Sequence, residues 1–121
     1  MANELTITNL LKYAGAGRPQ EFNLGGKVVS LTTDKFNHHL HSVGTTEEAM
    51  DLGELATIAW CWIKNHDGTN FVELRTATAG TKFAKLLAGE AALFRFGSGV
   101  TAPYLIADTA ACLVEYIIFA V

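Results

Sequence analysis

The chain has 121 residues, of which half are hydrophobic and only 17% are charged, and its formal net charge is −3. This composition excludes an intrinsically disordered chain, which needs low hydrophobicity and high net charge, and it excludes a basic nucleic-acid interface. The length corresponds to one domain, and a domain with so few charges is expected to bury part of its surface in a larger assembly.

A membrane is not the expected place for that apolar surface. Arg95, Asp108 and Glu115 interrupt the apolar C-terminal third, so no run reaches the roughly 20 residues of a spanning helix. Residues 1–4 lack the basic start and apolar core of a secretory signal, which predicts that the chain stays in a reducing cytoplasm after synthesis. We therefore expect neither a membrane nor a nucleic acid as a partner.

Thirteen threonines, eleven glycines and only two prolines indicate short strands joined by tight turns. Alternation in the first strand, residues 5–11, places Leu5, Ile7 and Leu11 on one face. The glycine-rich residues 14–19 predict a loop, and residues 27–33 and 36–43 predict the next two strands. A capping pattern from Thr45 to Glu48 predicts one helical turn after them.

The segment of residues 56–65 is apolar at alternate positions on both faces, which predicts a strand covered on both sides. Trp60 and Trp62 share one of these faces. The Asp67–Gly68 dipeptide that follows is typical of a tight hairpin turn, with residues 71–75 as the returning strand.

Residues 83–94 also match helical spacing, but Gly89 lies in the middle and costs a helix about 1 kcal/mol relative to alanine. We therefore predict two strands, residues 82–87 and 91–96, with a turn at residues 88–90. Strands at residues 100–107 and 112–121 complete a set of eight or nine, spaced as in an all-β sandwich or barrel.

The histidines resemble part of a metal site. Alternation puts His39 and His41 on one face of the strand and His38 on the other, so the first two form a potential chelate. Cupin-type metalloenzymes follow such a pair with a glutamate four or five residues later, and here the next glutamates lie six and seven residues after His41. His39 and His41 are therefore only candidate ligands; we predict no metal and no cofactor.

Other chemistry-bearing residue types lack a catalytic pattern. Cys61 and Cys112 lie in the most apolar segments without metal-type spacing and are interpreted as buried free thiols. Ser98 lies in an ordinary Gly-Ser-Gly turn rather than in a nucleophile elbow. The adjacent Glu47 and Glu48 are interpreted as capping groups rather than as a catalytic pair. The sequence predicts a protein that is not an enzyme.

Trp60 and Trp62 permit two interpretations. Two tryptophans on one strand face can form a stacking platform for sugar rings, as in carbohydrate-binding sandwiches. Their neighbours are apolar, whereas a sugar platform is normally edged by polar groups, so packing in a core or a subunit interface is the favoured interpretation.

Four segments, taken in order, resemble small β-sandwich structural proteins from the virions of tailed bacteriophages, a group that includes capsid decoration, head-fibre and tail-associated subunits. These segments are residues 41–53 (HSVGTTEEAMDLG), 62–73 (WIKNHDGTNFVE), 86–95 (LLAGEAALFR) and 113–118 (LVEYII). The resemblance covers residues 36–121. It implies a single antiparallel jelly-roll-like sandwich that forms a symmetric oligomer, most plausibly a trimer, attached to a major capsid or tail protein of the virion.

The predicted organisation is therefore an N-terminal strand or arm at residues 1–35, used for docking or subunit exchange, and a sandwich core at residues 36–121. The expected function is non-enzymatic: the oligomer decorates or cements a capsid. A carbohydrate-binding module that uses Trp60 and Trp62, or another tail-associated subunit, remains the alternative. The expected anchors of the core or interface are Trp60, Trp62, Phe94, Phe96 and Tyr116.

Overall fold

A computed structural model describes residues 3–15, 18–31 and 33–120. The described residues form ten strands and no helix, and therefore no helix among them is long and apolar enough to cross a bilayer. The strands are β1 (Asn3–Gly15), β2 (Arg18–Leu31), β3 (Phe36–Val43), β4 (Glu48–Ala49), β5 (Ile58–Asn65), β6 (Val72–Arg75), β7 (Lys82–Leu86), β8 (Ala91–Arg95), β9 (Tyr104–Ala107) and β10 (Cys112–Ala120). All strand pairs are antiparallel.

The chain divides into two compact units, Met1–Asp34 and Lys35–Val121, which we call the ribbon and the body. The ribbon is a two-stranded sheet of β1 and β2, closed where Gly15 pairs with Arg18. A register shift between Ile7 and Asn9 places an additional residue in β2, where Gly26 has a φ of 66°. Glycine adopts this left-handed conformation without a side-chain clash, which is why the bulge falls here.

The ribbon is amphipathic, as the alternation of β1 predicts. Leu5, Ile7, Leu11 and Tyr13 lie on one face by the period of two, and Phe22 joins them because it pairs directly with Leu11. We call this the apolar ribbon face. The predicted loop at residues 14–19 is shorter than expected, because β1 continues to residue 15 and β2 begins at residue 18; Ala16 and Gly17 lie outside the described residues.

The body contains two four-stranded sheets with the orders β3-β10-β5-β8 and β4-β9-β6-β7. Alternate residues of β5 and β10 are buried, as period-two strands require when one face covers a core. Both sheets supply residues to one hydrophobic cluster, so the core lies between them. The cluster consists of Val43, Met50, Cys61, Ile63, Val72, Leu74, Leu86, Phe96, Leu105, Ala107, Cys112, Val114, Tyr116 and Ile118.

Two local predictions are wrong. Thr45 to Glu48 form no helical turn; β4 begins at Glu48, because pairing with β9 overrides the weak capping signal. The Asp67–Gly68 turn joins strands of different sheets rather than a hairpin, and Gly68 has no positive φ. The Asp67 carboxylate instead accepts the backbone N–H groups of Thr69 and Asn70, at 2.9 and 2.6 Å, and so orders the crossing.

The number of strands also differs from the predicted eight or nine, because ten are present among the described residues, in three sheets. The additional strand is β4 (Glu48–Ala49), which lies where a helical turn was predicted, whereas the predicted strands at residues 5–11 and 27–33 correspond to β1 and β2. By contrast, the ambiguous segment around Gly89 forms two strands, as predicted. Gly89 has a φ of 79° in the turn between them, a conformation that favours glycine.

Asn65 ties two of the crossings between sheets together. Its side chain is completely buried, and its amide nitrogen lies 2.9 Å from the Asn70 carbonyl and 3.2 Å from the Leu86 carbonyl. Its side-chain oxygen accepts the Asp67 N–H at 3.0 Å. The β5–β6 and β7–β8 connections are therefore held by one buried polar side chain, which satisfies backbone groups that would otherwise lack partners.

Candidate functional site

An extended apolar surface of the body lies on the side of the β3-β10-β5-β8 sheet that faces away from the core. Cys61 and Ile63 point into the core, so alternation places Trp60 and Trp62 on the opposite side. We call this side the outer sheet face. Residues 56–65 are expected to be covered on both sides; within the described single chain this side is only partly covered, because both indoles remain partly exposed.

Strand register arranges the outer sheet face in rows. Trp62 lies between Ile117 on β10 and Leu93 on β8. Phe36 pairs with Phe119 at the next row, and their ring centroids are 5.7 Å apart. The remaining apolar members lie on the same side of β3 and β10, with Leu40 59% exposed and Leu113 47% exposed. An apolar surface that runs across four strands is typical of an interaction site rather than of scattered exposed residues.

One polar cluster interrupts this surface. The two carboxylate oxygens of Glu115 lie 2.6 Å from Nε2 of His38 and 2.8 Å from Nε2 of His66. Lys64 pairs directly across the strands with Glu115 on the same face. The hydrogen bonds from His66 and then His38 lower the pKa of Glu115, so this carboxylate is held in its ionised form beside the apolar surface.

A second histidine cluster lies on the core side of β3. His41 Nδ1 is 3.1 Å from the Tyr116 hydroxyl, and His41 Nε2 is 3.2 Å from a Glu48 carboxylate oxygen. The Asp51 N–H donates to the same hydroxyl at 2.7 Å, so the tyrosine O–H is free to donate to His41 Nδ1. Burial raises the pKa of Tyr116 to about 12, which keeps this hydroxyl protonated.

The structure also places the candidate metal ligands. His39 and His41 share the core side of β3, as alternation predicts, but each has a separate carboxylate: Asp51 lies 3.5 Å from His39, and Glu48 lies beside His41. Hydrogen bonds from the Gly44 N–H and then His41 lower the pKa of Glu48. No group of three ligating side chains with metal-site geometry occurs among residues 3–15, 18–31 and 33–120.

Two other predicted anchors, Phe94 and Phe96, lie at the side of the body where β7 and β8 are the edge strands of their sheets. Phe94 packs edge-on against Phe96, with ring centroids 5.0 Å apart, and against Phe83 at 5.9 Å. These rings, with Val100 and Arg95, line a pocket of about 380 Å³. Phe96 is buried, and Phe94 is partly buried.

The five predicted anchors therefore do not form one cluster. Trp60 and Trp62 lie on the outer sheet face, Phe94 and Phe96 line the side pocket, and Tyr116 is fully buried at the second histidine cluster.

Sequence reasoning missed the Glu115 cluster, because its three members come from β3, the β5–β6 connection and β10. The sequence did contain a signal, because it has four histidines beside an excess of acidic residues. In the structure, each of these histidines lies within 3.5 Å of a carboxylate.

Comparison with protein-family models, with curated protein sequences and with solved structures finds no match for this chain.

Proposed function

We propose that the protein is a non-enzymatic structural subunit of a tailed-phage virion, which forms a symmetric oligomer, most plausibly a trimer, and attaches to the major capsid or tail protein. The observation that carries this proposal is the outer sheet face. It exposes large apolar side chains, with Phe36 60% and Leu40 59% exposed, in a chain that has few charges to keep such a surface in water.

We further infer that the body is a single jelly-roll-like sandwich. The support is the strand order: along the chain from β3 to β10, strands alternate between the two sheets except for β6 and β7, which are neighbours in one sheet. Eight strands in two sheets characterise the jelly rolls of viral capsid and lectin domains. Because one fold serves many functions, the strand order supports the structural proposal without distinguishing capsid from tail.

The exposure of the outer sheet face to water favours an oligomer. Burial of apolar surface contributes about 25 cal/mol per Å², so covering the outer sheet face with another subunit stabilises the assembly over the monomer. The two tryptophans, which are the only ones in the chain, lie on this face. Their fluorescence therefore reports directly whether the outer sheet face is covered.

The test combines light scattering with tryptophan emission over a dilution series of the full chain. We expect a mass near 39 kDa, about three times the 13.0 kDa subunit, at micromolar concentration. On dilution, the emission should shift to longer wavelength as the mass falls. A mass of 13.0 kDa with an emission maximum that does not change with concentration would contradict the oligomer. Whether the gene lies beside a major capsid gene or among tail genes tests the virion part of the proposal.

A carbohydrate-binding module is the second candidate, and the position of both indoles on the outer face favours it over a buried role. Polar groups that could hydrogen-bond a sugar, Lys64 and Glu115, lie on the same face. Glycans that quench or shift the emission of Trp60 and Trp62 without changing the mass would support this candidate. Emission that responds only to subunit concentration would support the structural role.

A further inference from the structure

The apolar ribbon face changes in exposure along its length. Ile7 is only 4% exposed, whereas near the closed end Leu11 is 64%, Tyr13 60% and Phe22 58% exposed. The opposite ribbon face carries Lys12 paired with Glu21, an ion pair at 3.8 Å. Near the closed end, the exposed aromatic rings of Tyr13 and Phe22 therefore lie with Leu11 on one side of the ribbon.

A two-stranded ribbon has no second layer of its own to cover Leu11, Tyr13 and Phe22. Isolated hairpins are marginally stable in water, and stability requires further strands or a packing partner. The thirteen residues of β1 span about 43 Å at the usual rise per residue. A body of roughly 87 residues has a diameter of only about 31 Å, so the ribbon is long enough to extend across a neighbouring copy.

We propose that the closed end of the apolar ribbon face packs on the outer sheet face of a second copy of the chain. This inference rests on the proposed oligomer and identifies the contact that would build it. Both surfaces are apolar, and both expose aromatic rings.

The area reaches that of a small specific interface. Six large side chains on the two surfaces are each 47–64% exposed, and at roughly 100 Å² each they would bury about 600 Å² of apolar area. Apolar atoms make up roughly 60% of an interface, so the total is about 1,000 Å², the area that a biological interface is expected to reach. These side chains are Leu11, Tyr13, Phe22, Phe36, Leu40 and Leu113.

The contact is compatible with the proposed symmetry. When each ribbon docks on the sheet of the next copy in one direction, the interface is heterologous and forms a ring where the rotation between copies closes. A ring of three is the trimer proposed above. Reciprocal docking between two copies would instead be isologous and would give a dimer.

The experiment compares paired variants of the full chain by light scattering, with circular dichroism to verify the strand content. Leu11→Ser with Phe22→Ser removes exposed apolar groups from the apolar ribbon face. Leu10→Ser with Val28→Ser is the matched control, because these residues are 51% and 49% exposed on the opposite ribbon face. We expect the first pair to raise the subunit dissociation constant about 100-fold or more and the control to change it less than about fivefold.

The acceptor surface is tested in the same way. Phe36→Ser with Leu40→Ser should produce a similar loss of association. Phe83→Ser with Leu87→Ser should not, although these control residues are 42% and 52% exposed on the body.

A monomeric wild-type chain would refute the proposed oligomer itself. An oligomeric wild-type chain whose association survives either the ribbon pair or the Phe36/Leu40 pair would overturn this inference and leave the oligomer standing. Loss of association in either control pair would likewise overturn the assignment to these two faces.

Discussion

Asn65 provides the clearest test of how the body is held together. Replacement by alanine removes three well-formed hydrogen bonds: two from the side-chain amide to the Asn70 and Leu86 carbonyls, and one accepted from the Asp67 N–H. Each is worth about 1 kcal/mol net, and the buried groups left behind lose their partners, so we expect a loss of about 3 kcal/mol in the free energy of unfolding. Whole domains have only about 5–15 kcal/mol of stability.

Urea denaturation followed by circular dichroism measures this loss. With a denaturant slope of about 1.5 kcal/mol per M, the midpoint should fall by about 2 M. All variants are compared at the same subunit concentration, because association also stabilises the folded chain. Asn23→Ala is the matched control: Asn23 is exposed on β2, and its replacement should change stability by less than about 0.5 kcal/mol. A loss below about 1 kcal/mol for Asn65→Ala would refute the idea that this side chain secures the two crossings.

Three further predictions concern titration and packing. The pKa of Glu115 is lowered in the folded chain, so its contribution to stability is present above its unfolded pKa of about 4.3 and is lost as the pH falls through the lower folded value. Glu115→Gln should therefore weaken the loss of stability that thermal melts measure as the pH falls below about 4.3, and an unchanged acid profile would contradict the assigned pairing with His66 and His38. Both cysteines are buried, and burial raises the pKa of Cys61 to about 12. A thiol reagent at pH 8 should therefore label Cys61 and Cys112 only after denaturation. Rapid labelling of either residue in the native protein would count against their buried positions. Phe96→Ala should destabilise the body by about 3 kcal/mol in urea melts, because it opens a cavity beside the existing pocket. Phe83→Ala, on the exposed side of that pocket, should cost less than half as much. Equal losses of stability would argue against the different burial of the two rings.

The sequence predicted the features that depend on local periodicity. Alternation placed Ile7 and Leu11 on one ribbon face and separated Trp62 from Ile63, because strand side chains alternate whatever partner strand they pair with. Gly89 was enough to reject a helix between Phe83 and Phe94, since a glycine in that position favours a turn.

Local periodicity does not predict which strands pair when they are far apart in the chain. The crossing at Asp67–Gly68 has a hairpin signature, but whether the next strand joins the same sheet depends on β9 and β10, which arrive about 40 residues later. The Glu115 cluster escaped prediction for the same reason, because strand register alone brings His38 and His66 to one carboxylate. The five expected anchors were identified as large apolar groups, but their distribution over the outer face, the side pocket and the core depends on which side of each strand faces inward.

The central claim is that the chain works as a subunit of a symmetric assembly rather than as a monomer. Sedimentation equilibrium of the unmodified full chain at 1–50 µM tests it most directly. We expect a single species near 39 kDa, about three subunits of 13.0 kDa, that dissociates only on strong dilution. A stable 13.0 kDa species throughout this range would contradict it.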